Sequence, residues 1–502
     1  MRGIDTALRK LRREVFKEVA RVAYEAGEED VRAEIEAIPY RITPDEKPRY
    51  RESIYRERAI ASERVRLAMG LSLRPQDKPV HLTSGLTRSN IPEKYYEPPL
   101  MQVIPSACEA CEDNVYKVSD QCRGCVAHPC VTVCPKGAIS IVNGKSVIDQ
   151  SKCIKCGKCK KVCPYDAIAH KVRPCSAACG IKAIKTDEQG RAKIDNDMCV
   201  GCGQCMLACP FGAVADKSQI FQLIQAIRRG DKIVAAVAPA IVGQFGDNVG
   251  LGQIKGALMA LGFADMHEVA VGADVGAAVE AHHYATEVAT GKIPFMLTSC
   301  CPAWAMLAKK QFPQLIDKVS QSLTPMVATA RRIKQRTPNA RVVFIGPCAA
   351  KKLEASRESV RSVVDFVISF VELAGIFDAK NIDFSKYAGE RSIHEATGAG
   401  RGYAVAGGVA AAIEKCVQAY YPDVQVKIEH AEGLEECKKM LLLAKLGKKD
   451  GCLIEGMGCP GGCIAGAGTN VAVEKAAAAV KKFVENSSKP LPAKDLYEIE
   501  LP

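Results

Sequence analysis

The chain reads as an α/β domain of parallel sheets flanked by helices, preceded by two small α+β modules and a helical N-terminal region. Three observations predict this. From about residue 218 onward, apolar strand-like runs alternate with helical segments. Between Cys108 and Pro210 stand 16 of the chain's 24 cysteines. Residues 1–100 contain no cysteine, many charges and scattered prolines. The expected divisions are therefore 1–100, 101–217 and 218–502.

In the first division, Leu8, Leu11, Val15, Val19 and Val22 recur at helical spacing and define one apolar face. Pro39, Pro44, Pro48, Pro75, Pro79, Pro92, Pro98 and Pro99 break the rest into helices and extended connectors, expected to wrap the remaining chain. The start lacks the continuous apolar stretch and small-residue cleavage site of a secretory signal. Asp5, Glu14 and Glu18 also argue against an acid-poor transit peptide. No run of about 18 apolar residues is present, so no membrane span is expected. A cytoplasmic location follows as the expectation.

The second division repeats itself. Cys130 and Cys134 recur 45 residues on as Cys175 and Cys179. Cys153, Cys156, Cys159 and Cys163 recur 46 residues on as Cys199, Cys202, Cys205 and Cys209. Two tandem modules of one type are encoded. The pattern C-x2-C-x2-C-x3-C-P occurs at Cys153–Pro164 and Cys199–Pro210, with a longer variant at Cys122–Pro135. Zinc sites favour two separated C-x2-C pairs, whereas three closely spaced cysteines wrap one corner of an iron–sulfur cube and the fourth, before proline, ligates the neighbouring one. The segment resembles two-cluster bacterial ferredoxins. On that exchange rule Cys122, Cys125, Cys130 and Cys163 hold one [4Fe-4S] cluster, and Cys153, Cys156, Cys159 and Cys134 hold its partner. Cys199, Cys202, Cys205 and Cys179 hold a third. The second module lacks a leading C-x2-C, which leaves Cys175 and Cys209 as half a site; Cys108 and Cys111 are expected to complete a fourth. Four such clusters make an electron chain without a substrate site.

In the third division, strand-like runs occur at 232–240, 294–300, 340–348 and 451–459, with helical segments between them such as PQLIDKVSQSL and TPMVATARRIKQ. Three of the four strand-like runs end in a cysteine motif: TSCCPAW (298–304), GPCAAKKLE (346–354) and EGMGCPGGCIAGAG (455–468). Sites in open α/β sheets lie at the carboxyl ends of strands, so distant motifs converge there. By chemistry alone, Cys301, Cys348, Cys459 and Cys463 offer four separated thiolates for one more cluster.

These segments resemble the three signature motifs of [FeFe]-hydrogenases, and with the cysteine modules the resemblance spans roughly residues 108–470. It implies reversible conversion of two protons and two electrons to H2 at an H-cluster, fed by the four accessory clusters. Cys301, Cys348, Cys459 and Cys463 would ligate its cubane, Cys463 also bridging to a diiron subcluster with carbon monoxide, cyanide and azadithiolate supplied by maturases. Lys351 would hydrogen-bond a cyanide, with the neighbouring Lys352 read as a solvated surface lysine. Met457 would pack near the bridging carbonyl, Glu354 would support the motif, and Trp304, the only tryptophan, would pack. Cys300 would exchange a proton with the azadithiolate amine, a role suited to a thiol whose pKa responds to its surroundings.

Some positions depart from the family. The second motif starts Gly346-Pro347-Cys348 in place of Met-Pro-Cys, and the GCIAGAG tail replaces GGG-x-P. Glu280 matches a proton-path glutamate, but the next path carboxylate falls at His283; His282 and His283 read equally as surface residues. These features resemble a divergent, group B-like branch. The formal charge of +12 raises nucleic acid or an anionic membrane as partners. Five cubes at about −2 each would nearly cancel it, so neither is expected. Ferredoxin or a similar one-electron carrier is the implied partner; no nicotinamide or flavin motif is evident. Two other readings stand beside the enzyme: a hydrogen sensor of low turnover, and a hydrogenase-related iron–sulfur assembly protein. Retention of Cys300, Lys351 and all three motifs argues against the latter.

Overall fold

A computed structural model describes residues 6–91, 97–387, 395–499 and 501, so Pro92 lies outside the described residues. The first helix, Ala7–Glu25, is capped by Thr6, whose hydroxyl accepts from the Arg9 amide at 3.3 Å. It buries Val15, Val19 and Val22 as the spacing predicts. Helices Val31–Ile42 and Ile54–Ala68 pack beside it. The region does wrap the rest of the chain. Leu8 reaches Gly212 in the cysteine-rich segment, and Phe16 presses on Gly375, in the helix Phe370–Ala379, so closely that a Cβ there would lie 2.5 Å from it. Gln225 and Arg228 both donate to the Ala23 carbonyl at 3.0 Å.

The two cysteine modules are nested. Strand Val115–Val118 pairs antiparallel with Ile168–Lys171, and between them lies the hairpin Ile139–Val142 with Lys145–Ile148. The second module repeats this plan with the hairpin Ile184–Thr186 and Ala192–Ile194. Its closing strand Val214–Asp216 pairs with Met101–Val103, which precedes the whole first module. The first module is thus inserted into the second. Backbone conformation repeats too: Lys155 and Gly201, 46 residues apart, both take positive φ, at 59° and 67°. That conformation is strained for lysine and free for glycine, so the turn is imposed by the cysteine loop.

The C-terminal part holds two parallel sheets. One has the order Asp265–Glu268, Ile233–Val237, Arg341–Gly346, Phe366–Ser369; the other Met296–Leu297, Cys452–Met457, Lys427–Glu432. The central strands Ile233–Val237 and Cys452–Met457 are buried throughout, as parallel strands covered on both faces must be. The four strand-like runs form strands, and TPMVATARRIKQ forms the helix Pro325–Arg336. PQLIDKVSQSL does not form the expected helix. It makes a 3-10 turn at Pro313–Lys318, after which Val319 turns extended and bridges in parallel to Leu297. Sheet pairing there, with Ser320 donating to the Leu297 carbonyl at 2.8 Å, overrides a weak helical preference.

Candidate active site and iron–sulfur centres

The three C-terminal motifs converge at the carboxyl ends of three strands. Met296–Leu297 leads into Cys300 and Cys301, Arg341–Gly346 into Cys348, and Cys452–Met457 into Cys459 and Cys463. Together they line a cavity of about 80 Å³ that includes Cys300, Cys301, Cys348, Lys351, Met457, Cys459 and Cys463. Glycines permit the approach. A Cβ at Gly466 would lie 2.3 Å from the Pro347 carbonyl, and the Gly468 amide donates to that same oxygen at 2.8 Å. The unusual GCIAGAG tail therefore still lies directly on the unusual Gly-Pro-Cys segment. Trp304 packs fully buried, donates to the Thr298 carbonyl at 3.0 Å, and occupies the space a side chain at Gly456 would need.

The polar groups at the cavity are few and organised. Lys351 lies 2.7 Å from the Glu354 carboxylate and reaches the Cys300 carbonyl at 3.4 Å. Burial works against the Lys351 ammonium, but Glu354 outweighs it and holds the pKa above its ordinary value. Glu354 also accepts from Thr324 at 2.7 Å, so it supports the lysine from behind. Burial pushes the Cys300 thiol well up, and the Glu280 carboxylate adds to that push. Glu280 is itself buried on the helix Ala270–His283, where burial raises it against hydrogen bonds from serines. Ser322 donates to it at 3.1 Å and Ser299 at 3.4 Å. His283 is half-buried and its pKa is lowered, chiefly by burial, while His282 bonds the Tyr421 hydroxyl at 2.7 Å and stacks on Tyr497. Neither histidine lines the cavity.

Lys352 is not the surface lysine the sequence suggested. Its side chain is 1% exposed and lies 2.7 Å from Asp216 and 2.8 Å from Glu372. It ties the end of the second cysteine module to the helix that follows the sheet. Sequence reasoning also missed two further groups. Tyr403 lines the cavity, is buried, and its hydroxyl has no hydrogen-bond partner among the described residues. Glu455 accepts from the amides of Gly407 and Ala410 at 2.9 and 2.8 Å, fixing the start of the helix Gly408–Tyr420 behind the cavity. Tyr403 lies outside every motif, and Glu455 opens the third motif without any sign in the sequence of the amides it holds.

In the nested modules, one cavity of about 20 Å³ is lined by Cys122, Cys125, Cys130 and Cys163. Another of about 20 Å³ is lined by Cys108, Cys111, Cys175 and Cys209. Nesting explains the second set, because the strand pairing brings the Cys108–Cys111 segment to the module that lacks its own. Cys202, Cys199, Cys179 and Cys175 of the neighbouring set add to the burial that pushes the Cys205 thiol well up, so Cys205 stands among them. Cys153 and Cys156 likewise adjoin Cys159; Cys134, expected with them, sits in the same small core. Amides point at the thiols in register. Ala138 donates to Cys134 at 3.3 Å as Ala183 does to Cys179 at 3.2 Å, and Ala167 to Cys163 at 3.4 Å as Ala213 to Cys209 at 3.3 Å. Thiols gathered in this way, two of the sets around small cavities and with amide donors beside them, fit [4Fe-4S] cubes. The Gln204 side-chain amide donates to Cys459 at 3.3 Å, so the set Cys179, Cys199, Cys202 and Cys205 stands next to the cavity of the C-terminal motifs. At the cavity the same test holds: four half-buried thiols, a Gly458 amide donating to Cys301 at 3.4 Å, and a Tyr403 hydroxyl without a partner among the described residues suit a bulky inorganic group.

Such an arrangement fits an iron–sulfur protein with cysteine sets grouped beside a cysteine-lined cavity. Residues 231–467 match the family described as the iron only hydrogenase large subunit, C-terminal domain, and residues 146–169 and 192–215 match the 4Fe-4S binding domain. The periplasmic [Fe] hydrogenase large subunit of Nitratidesulfovibrio vulgaris is 29% identical over 378 residues, covering 64% of this chain and 86% of that one. The cytosolic Fe-S cluster assembly factor NAR1 of Kluyveromyces lactis is 37% identical over 95 residues, 19% of this chain and 20% of its own. Among solved structures, a variant of an [FeFe]-hydrogenase from Chlamydomonas reinhardtii superimposes with a TM-score of 0.46 and 21% identity, covering 54% of this chain and 90% of that one. Over these segments the chain is similar to [FeFe]-hydrogenases, as a divergent relative, and matches 4Fe-4S binding domains. Among the described residues no helix is long and apolar enough to cross a membrane.

Proposed function

We propose that this protein is a working hydrogenase that interconverts H2 with protons and electrons, exchanging those electrons with ferredoxin. The observation that carries the reading is Cys300, a half-buried thiol lining the cavity and backed by the buried Glu280 and its serines. A scaffold for iron–sulfur assembly has no use for a proton relay.

Cys301, Cys348, Cys459 and Cys463 would hold an H-cluster, with Lys351 donating to a cyanide ligand and Met457 packing beside it. When bound, that group supplies the Lewis-acidic iron and adjacent base needed to split or form the H–H bond. The chain's own residues do the rest. The apolar lining of Ala238, Val269, Phe344 and Ala404 excludes bulk water. Glu354 keeps Lys351 protonated and aimed. Cys300 Sγ gives and takes a proton, and the Glu280 carboxylate, its basicity raised by burial, receives or returns it. Each of the four accessory cysteine sets would hold a cube, a group that supplies one-electron transfer when bound, the set beside Cys459 being the one next to the cavity.

The test is hydrogen evolution from reduced viologen by anaerobically matured protein, with Cys300→Ala as control. Activity that falls by about 10²–10⁴ in the variant is expected. Undiminished activity in the variant would remove Cys300 from the route. The local likeness to NAR1 favours a second reading, iron–sulfur assembly; a matured wild type without activity would move the assignment there.

A further inference from the structure

Resting on the proposed exchange of electrons with a carrier, we infer that an acidic one-electron carrier protein docks on the lysine-rimmed loop around Cys156. The two modules provide an internal comparison. In the second module the loop from Met198 to Leu207 turns inward: Gly201 abuts Ala350 and Leu353, Gly203 abuts Ala467, and Gln204 bonds Cys459. That loop is an electron-transfer contact within the molecule. The equivalent loop of the first module, 46 residues earlier, faces solvent, and Cys156 is the only one of the 24 cysteines that is exposed.

The side chains change accordingly. Met198, Gly201, Gln204, Met206 and Leu207 correspond to Lys152, Lys155, Lys158, Lys160 and Lys161, all five exposed. Val200 corresponds to Ile154, which is 55% exposed. Only Lys152 has a carboxylate partner among the described residues, Asp149 at 3.7 Å. Four unpaired lysines on one short loop repel one another, and the plain solvated-surface reading gives no reason for them to surround an apolar residue and an accessible cube. A transient electron-transfer interface has that make-up: a small apolar centre where the clusters approach, and a ring of one charge that steers the opposite one. One electron passes per encounter; the carrier is oxidised by one and the cube reduced by one.

The experiment uses the full chain with its accessory clusters loaded, mixed anaerobically with a pre-reduced acidic [4Fe-4S] ferredoxin, following cluster bleaching by stopped flow. Reduced methyl viologen, a cation, serves as reference reductant. The readout is the ratio of the carrier rate to the viologen rate. Lys155→Glu, Lys158→Glu and Lys161→Glu together should lower that ratio at least about tenfold at low salt, and the Gln versions should lower it less. The wild-type carrier rate should fall steeply as salt shortens the screening length. Lys445→Glu with Lys448→Glu, exposed elsewhere, should leave the ratio alone. An unchanged ratio, even with both rates reduced, would overturn the assignment, as would a carrier rate indifferent to salt. Retention of the wild type on phosphatidylserine vesicles alongside such indifference would assign the patch to a membrane surface. None of these readouts requires hydrogen chemistry, so failure here is separate from failure of the activity test.

Discussion

Replacing Lys352 by methionine should destabilise the protein out of proportion to the size of the change. The substitution keeps the volume but leaves Asp216 and Glu372, at 10% and 1% side-chain exposure, facing each other without their cation. It also removes a donor from the Lys217 carbonyl at 2.9 Å. Breaking a buried ion pair from one side costs about 3–5 kcal/mol. With about 2.1 cal/mol/K per residue over the roughly 285 residues of the C-terminal division, that corresponds to a Tm lower by about 5–8 °C. The deficit should depend on pH. Burial pushes the Asp216 carboxyl up, but Lys352 and Arg12 outweigh it and hold the pKa below its usual value. In the wild type this pair therefore stabilises the fold above the ordinary carboxylate pKa and ceases to do so as pH falls through the depressed one. In the variant the main opposing cation is gone, burial dominates, and protonation relieves the strain, so the deficit should shrink from about pH 8 to about pH 5.5. Anaerobic scanning calorimetry of cluster-loaded protein measures both. A Tm change under about 1 °C, or a deficit that grows toward acid, would refute the reasoning.

Cys111→Ser should lower bound iron by about four atoms per chain and leave the other cubes' spectroscopic signals in place; unchanged iron would mean that Cys108 and Cys111 lie outside any cluster. Glu280→Gln should slow hydrogen evolution by about 10²-fold with the same iron content, since it keeps the serine hydrogen bonds but cannot accept the proton; unaltered turnover would place the route elsewhere. Tyr403→Phe should stabilise the protein before maturation, by about 1 kcal/mol, because a buried hydroxyl without a partner is unfavourable. If the hydroxyl bonds the group that fills the cavity, that gain should vanish after maturation; a gain of equal size in both forms would show that it does not.

Much of the site could be read from the chain because cluster ligation fixes both residue type and spacing. The cysteine sets Cys122, Cys125, Cys130 and Cys163, and Cys108, Cys111, Cys175 and Cys209, each line one cavity. The motifs lay at the ends of strand-like runs, so their convergence was legible too. Lys352 was not: a lysine beside a motif looks solvated until the fold delivers Asp216 from 136 residues upstream. The roles of Tyr403 and of Glu455, although the latter opens the third motif, were silent for a similar reason, since their contacts come from packing between distant segments. Val319 was misread because its partner in the sheet, Leu297, outweighs the local helical preference.

The nesting of the modules has a consequence for how the electron chain can be lengthened or cut. Where the inner module enters and leaves, the Arg173 amide donates to the Asp113 carboxylate at 3.2 Å, and its guanidinium donates to the Cys111 carbonyl at 2.9 Å. That guanidinium also holds the Gly190 carbonyl at 2.8 Å, so the junction is anchored wholly in the outer module. The inner module is thus a cassette whose two ends already touch. On the proposed ligand sets, excising it and rejoining its ends by a short turn should remove two cubes while keeping Cys108, Cys111, Cys175, Cys179, Cys199, Cys202, Cys205 and Cys209.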